Sequence, residues 1–382
     1  MKKLSLLLFA LLSVAQLHAQ PNETVKLNLI SPLDYQVFQR QTHDDGKITV
    51  DIALDTTARG TLTNLDTLEV RLTGFDAWQS LPFDSRVRRF RTELAAPAGG
   101  WYRLEVRLGG GEVVVSAVVE HVGVGEVFVI AGQSNSANHG EEKQSATNSH
   151  VVAFGNGRWQ PAADPEPGAS GKGGSFMPAF GDAMAKRFDV PIGLVPLGVG
   201  STSVREWLPP GDAVAAPSDT GRNVVLVGSN SWACTGELFD RITAVEKQFG
   251  PEGFRAMLWH QGESDSHEPV DRQITPAQYR QYLQRVIEAS RAQAGWRVPW
   301  FVAQASYHSP MDKGSPELRA AQKSLATDGI ALAGPNTDTL GPEFRQNNGQ
   351  GVHFNARGLQ RHGQMWADNV GSWLAKTVPA NK

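Results

Sequence analysis

Four short polar clusters in this sequence each follow an apolar run or precede a helix, and each holds side chains able to do chemistry. Val127–Ala131 runs into Gly132-Gln133-Ser134-Asn135-Ser136. A serine on a tight turn at the end of a buried strand is exposed at the sheet edge, where a base can take its proton and small neighbours admit a carbonyl. The segment lacks the GxSxG elbow of α/β-hydrolases, and a serine in such a turn also serves as a plain turn or cap residue. Gly198–Ser203 follows a second run and leads to Arg205 and Trp207. A glycine there lets a backbone N–H approach a developing oxyanion, or simply supplies a turn with positive φ. A third run ends in Trp259-His260-Gln261-Gly262-Glu263-Ser264-Asp265. Continued extension puts Gln261, Glu263 and Asp265 on one side, where Gln261 can donate to an oxyanion and Glu263 can orient a histidine. The last cluster, Gly351-Val352-His353-Phe354-Asn355, precedes the final helix, with Asn355 as its N-cap. His353 placed there can take a proton from a serine and return it to a leaving alcohol.

The elements that must position these clusters alternate along the chain. Val127–Ala131, Ile192–Leu197, Ala256–Trp259, Trp300–Ala305 and Ile330–Ala333 read as strands buried on both faces. Phe176–Phe188, Glu237–Phe249, Ala277–Ala294 and Pro316–Ala326 read as the helices between them. Ala356–Ala375 closes the chain with Leu359, Trp366, Val370, Trp373 and Leu374 on one face. This alternation predicts an open parallel sheet with helices on both sides, in which ligands bind beyond the carboxyl ends of the strands. Gly155–Gly174 and Leu208–Gly236 are long connections suited to shaping a cleft. Before Gly125 the pattern differs. Lys47–Leu54, Leu68–Leu72, Tyr102–Leu108 and Glu112–Val119 are short alternating runs, which predicts a small all-β, immunoglobulin-like sandwich with no visible chemistry.

Together, GQSN at Gly132–Asn135, the GxGST segment at Gly198–Thr202, WHQGES at Trp259–Ser264 and VHF at Val352–Phe354 resemble the SGNH hydrolase superfamily. The resemblance is to its sialate O-acetylesterase-like and carbohydrate acetylesterase branch, and it covers Gly125 to the C-terminus. It implies a flavodoxin-like three-layer α/β/α domain with a parallel sheet. The activity it implies is hydrolysis of O-acetyl esters on sugars or polysaccharides, with no metal or other cofactor. Carried over motif by motif, it makes Ser134 the nucleophile and His353 the general base. The implied oxyanion hole consists of the Ser134 and Gly200 N–H groups and Gln261, where many relatives have asparagine. Gln133, Asn135, Arg205, Trp207 and Trp232 are the residues expected to touch substrate. One position departs from the pattern: many relatives have aspartate three residues before the histidine, and this chain has Gln350. A neutral amide does not stabilise an imidazolium as a carboxylate does, so Glu263 is the expected third member. Asp338 and Asp265 stand behind it, with a Ser134–His353 dyad as the fallback.

The composition fits this reading. A chain of 382 residues with 40% hydrophobic and 20% charged residues is globular, with about two domains. A net charge of −3 argues against nucleic-acid or anionic-membrane partners, and an acetylated carbohydrate is the partner the resemblance implies. Met1–Ala19 has the form of a secretory signal, with Lys2 and Lys3, the apolar run Leu4–Leu12 and small residues before Gln20. The run is too short to span a membrane, so export to the periplasm or the exterior is expected. The expected division is a signal at 1–19, a sandwich at 20–123 and a hydrolase domain at 124–382; oligomeric state is not legible. Cys234, the sole cysteine, excludes intramolecular disulfides and cysteine-built zinc sites. Three other readings fit these residues less well. A glycosidase pair of Glu263 and Asp265 would sit on one strand rather than flank a bond. A metal set of His260, Glu263, Asp265 and His267 is interrupted by Gly262. A non-catalytic carbohydrate-binding protein on a degenerate esterase fold would use Trp159, Trp207 and Trp232.

Overall fold

The structure, a computed structural model, describes residues 17–18, 24–56, 67–75, 77–84, 87–110, 113–215, 222–229, 231–267 and 274–379. All but two residues of the expected signal fall outside these. The chain forms two compact units: 1–36, 47–96 and 101–122 in the first, and 37–46, 97–100 and 123–382 in the second.

Within the first unit the strands pair antiparallel, Thr24–Ser31 with Asp45–Thr56 and Thr67–Leu72 with both Gln79–Leu81 and Gly99–Gly110. Ile48, Val50, Ile52 and Leu54 are buried, as are Leu68, Val70 and Leu72 and, on the partner strand, Leu104, Val106 and Leu108. Every second side chain therefore faces inward, as strand geometry requires of a sheet with one buried face.

The second unit is built on a sheet. Its parallel strands lie side by side in the order Val151–Gly155, Ile192–Pro196, Val113–Gly132, Ala256–His260, Trp300–Gln304 and Leu332–Asn336. Arg158–Pro161 adds antiparallel at the outer edge, so the sheet is mixed. Without the edge hairpin, the chain order across the sheet is 2-1-3-4-5, the flavodoxin-type order. The edge strand Val151–Gly155 was not expected from sequence: its apolar run is short and abuts a Gly- and Pro-rich segment, which leaves little periodic signal. The last strand begins two residues later than expected, because the Ile330 and Ala331 N–H groups donate to Leu325 O and finish the preceding helix.

Helices Met177–Phe188 and Ala356–Thr377 pack together, and Phe176, Phe180, Met184, Trp366 and Val370 share one core with Phe128, Ile130, Leu194 and Leu258 of the sheet. Helices Glu237–Phe249, Pro276–Ala294 and Pro316–Thr327 pack against one another in chain order. Val127 and Val129, which alternate with Phe128 and Ile130, are also fully buried, so the central strand is covered on both faces. The helix boundaries have local causes. Thr275 and Gln278 form a capping box at the start of Pro276–Ala294, and Asn355 Oδ1 accepts the Gly358 N–H at the start of the last helix. At the start of the parallel stretch, Glu126 is fully buried and bridges two cations, with Arg40 Nε at 2.7 Å and Arg255 Nε at 2.6 Å. No helix among the described residues is long and apolar enough to cross a membrane.

Candidate active site

The central strand ends at Gly132, where φ is +124° and a Cβ would stand 2.1 Å from His260 O of the next strand. Only glycine fits, and the chain turns at once into the 3-10 turn Ser134–Ser136. The Gln133 N–H donates to His260 O at 2.9 Å and Ser136 Oγ donates to Gln133 O at 2.7 Å, which fixes the turn on the strand end. Ser134 is 5% exposed. Neither its Oγ nor its N–H has a hydrogen-bond partner among the described residues, so both are available to a reacting group.

The neighbouring strand does not stay extended. Gly262, with φ +153°, turns it into the single helical turn Glu263–Ser266. The expected alignment of Gln261, Glu263 and Asp265 on one side is lost, and each takes its own partners. Gln261 Nε2 lies 3.2 Å from Gln133 Oε1, 3.0 Å from Thr202 O and 2.6 Å from Asp265 Oδ2. Its two amide hydrogens are shared among these three acceptors, so Gln261 braces the strand ends. Asp265 also accepts from Ser203 Oγ and from the Val204 N–H. Burial pushes its carboxyl up, against the hydrogen bonds from Ser203, Val204 and Gln261.

Glu263 is likewise not the partner of His353. Its Oε1 accepts Asn135 Nδ2 at 2.7 Å and lies 3.6 Å from His260 Nδ1, because the helical turn after Gly262 carries it to the serine turn. Asn135 Nδ2 also reaches Val352 O at 3.3 Å. The serine turn and the histidine segment are thus fastened together by one amide, itself held by Glu263. Asp338 is taken by the Ser306 and Tyr307 N–H groups and by Arg319 Nη1. No carboxylate pairs with His353 among the described residues; its Nδ1 lies 3.0 Å from Gln346 Nε2.

Burial pushes the His353 imidazole down to about 4, with the nearby His139, Arg345 and His308 adding to the effect. Arg345 is itself buried, which lowers it to about 10. Its guanidinium donates to Leu340 O at 2.9 Å, Val352 O at 2.6 Å and Thr337 O at 3.1 Å, and it lies over the rings of Phe354 and Tyr307. It pins the carbonyl just before His353. On the other flank the Gly200 N–H donates to Ser170 Oγ at 2.7 Å, and that hydroxyl lies 3.1 Å from His139 Nε2. A Cβ on Gly200 would come within 2.6 Å of the same nitrogen. Ser170 belongs to the connection Gly155–Gly174, so that long loop does reach the site.

The expected substrate contacts divide. Gln133 is buried and its Oε1 accepts the Gly262 and Ser264 N–H groups. Arg205 and Trp207 are fully buried, with Arg205 Nε on Ser203 Oγ and Trp207 Nε1 on Thr202 Oγ1. These three, like the Asn135 amide, are buried and hydrogen-bonded within the protein, where they hold the strand ends together. Trp232 is half-buried in a small sheet of Ala213–Val214, Val224–Leu226 and Trp232–Cys234. His139, Ser170, Arg345 and Gln346 went unread in the sequence. The nearest signals were His139 five residues after Ser134 and two polar side chains just upstream of His353.

Among the described residues, His267, His308 and Asp312 bring metal-type ligand atoms within 4.8 Å of one another. The two rings stack 3.6 Å apart at 10°, and His267 Nδ1 lies 2.6 Å from Asp312 Oδ2. Stacked rings hold their in-plane lone pairs in parallel planes that do not converge on one ion, so this arrangement is a His–Asp hydrogen bond beside a ring stack. The set His260, Glu263, Asp265 and His267 forms no cluster, since Glu263 and Asp265 are committed elsewhere.

A 2-1-3-4-5 sheet that presents a serine turn, a glycine N–H and a histidine loop beyond its strand ends has the fold of an α/β ester hydrolase. The sequence model of the family described as carbohydrate esterase, sialic acid-specific acetylesterase matches residues 124–372, and the chain belongs to that family. A carbohydrate acetylesterase from Xanthomonas citri shares the fold at a TM-score of 0.55 and 19% identity, with 89% of this chain and 73% of that one covered. A protein from Arabidopsis thaliana aligns at a TM-score of 0.45 and 19% identity, covering 66% of this chain and 98% of its own. No curated protein matches the sequence.

Proposed function

We propose that this protein removes O-acetyl groups from carbohydrate through a serine acyl-enzyme, with no metal or other cofactor. The observation that carries the reading is the Asn135 amide, which joins the turn of Ser134 to the segment of His353 while Glu263 holds it. Such a fastening sets the distance between a nucleophile and its base. His353 takes the Ser134 proton as Oγ attacks the acetyl carbon, and the Ser134 and Gly200 N–H groups receive the oxyanion. For Gly200 this means that substrate replaces Ser170 Oγ as acceptor. The imidazolium returns its proton to the departing sugar alcohol. Water, deprotonated by His353, then attacks the acetyl-serine, and acetate leaves with Ser134 re-protonated. Apo catalytic hydrogen bonds are often open and close only with substrate, which accounts for the unpartnered Ser134 Oγ.

Met1–Ala19 supports export, and sequencing of secreted protein should find Gln20 first. Residues 20–123 are assigned in this reading to an immunoglobulin-like accessory sandwich, which the antiparallel pairing and alternating burial support. The test of the function is acetate release from 4-nitrophenyl acetate and from a panel of acetylated glycans, in the presence of chelator. Release that disappears in Ser134→Ala is expected. Release that survives Ser134→Ala rejects the serine mechanism, and glycan binding without release from any substrate returns the chain to a binding role.

A further inference from the structure

In a serine–histidine pair, the ring nitrogen turned away from the serine needs a partner, because that partner decides which nitrogen carries the proton. Here the partner is a carboxamide. Gln346 Nε2 lies 3.0 Å from His353 Nδ1. Two further features make this a built contact. The Gln346 N–H donates to His353 O at 3.0 Å, beside the bridge of Arg345 with Phe354, so the two segments are held in register. The side chain also crosses the space of an absent Cβ: one on Gly351 would stand 2.3 Å from Gln346 Cγ and 3.0 Å from its Nε2. Glycine at 351 is what lets the amide reach the ring.

We propose that Gln346 is the positioning residue of His353, its carboxamide standing where a carboxylate stands in a charged triad; this rests on the roles of Ser134 and His353 given above. A half-turn about the last side-chain bond exchanges the amide N–H for the C=O without changing volume. With the N–H toward the ring, Nδ1 accepts and Nε2 carries the proton. With the C=O toward the ring, Nδ1–H donates to Oε1, and Nε2 keeps the lone pair that takes the Ser134 proton. Turned this way from the orientation in the structure, Gln346 accepts Nδ1–H in the reactive tautomer without bringing a negative charge to a ring flanked by His139, His308 and Arg345. A dipole alone then meets the imidazolium formed during reaction, so the base stays neutral to lower pH than it would beside a carboxylate.

Gln346→Leu, Gln346→Glu and Gly351→Ala test this in the full-length protein, by acetate-release kinetics across the pH range and by nitrogen NMR of the histidine rings. Gln346→Leu should lower kcat by about 10- to 100-fold with KM within about twofold, as misplacement of a catalytic group does, and should lose the Nδ1–H tautomer of His353. Gln346→Glu should restore most of kcat and raise the acidic limb of kcat/KM by about one pH unit or more, since a carboxylate at Nδ1 favours the imidazolium. Gly351→Ala should behave as Gln346→Leu. Wild-type kcat and tautomer in folded Gln346→Leu, or an unmoved acidic limb in Gln346→Glu, overturn the proposal. An inactive Ser134→Ala alongside unaffected Gln346 variants removes only the role of Gln346. An active Ser134→Ala removes the serine mechanism and this inference with it.

Discussion

If His353 accepts the Ser134 proton, the fraction of free enzyme with a neutral imidazole sets the acidic limb of kcat/KM. An ordinary histidine, with a pKa of about 6.5, is only about 3% neutral at pH 5, so moving from pH 7.5 to 5 would cost about 30-fold. Burial among Arg345, His139 and His308 holds His353 at about 4 instead. About nine-tenths of the enzyme then keeps a neutral base at pH 5, and kcat/KM should fall by only about 1.1-fold. First-order acetate release at low substrate, at constant ionic strength, reads this directly, with circular dichroism recorded at each pH. The depressed value that preserves activity at acid pH lowers stability there. Because the folded pKa is depressed, the unfolded chain takes the proton first, and stability declines as pH falls from about 6.5 to about 4, by about 3 kcal/mol at most from this residue. Loss of rate with the fold intact and a midpoint near 6.5 would refute the account of the site as a dry, amide-partnered base.

Other outcomes follow from the same contacts. Glu263→Ala leaves the Asn135 amide with only the longer contact to Val352 O, which should cost about 1–3 kcal/mol in the transition state, or about 5- to 150-fold in kcat, whereas Glu263→Gln, which keeps an acceptor, should lose less. Equal losses in the two variants would instead require the charge itself. Glu126→Ala strands the Arg40 guanidinium in the interior and should destabilise by about 3–5 kcal/mol in denaturant titration; a change under about 1 kcal/mol would contradict the buried bridge. Burial pushes the Cys234 thiol up to about 11, so iodoacetamide at pH 8 should leave activity unchanged, and rapid inactivation by thiol modification would refute the burial.

The residues at the ends of the strands were legible because each follows a run that can only be a buried strand. A parallel sheet sends the loops that bind ligands to the carboxyl ends of its strands, so Ser134, Gly200 and His353 stand out as candidates from apolar periodicity and motif together. Asn355 was readable for a similar reason, since N-cap chemistry is local. The short edge strand Val151–Gly155 was not, because its few apolar residues are equally compatible with a loop until a neighbour pairs with them. The partners of the acidic and amide side chains were beyond the sequence altogether. Period-two alternation put Gln261, Glu263 and Asp265 together, but one glycine at φ +153° changed the backbone from strand to helix and sent each to a different neighbour. The sequence by itself determined which strand ends carry the serine turn, the glycine turn and the histidine segment, because local pattern and covalent neighbours decide these. Only the tertiary structure decided that Glu263 holds Asn135 while Gln346 holds His353. Hydrogen-bond partners far apart in the chain depend on loop closure and on the absence of a Cβ at Gly351, and neither leaves a periodic trace in the sequence.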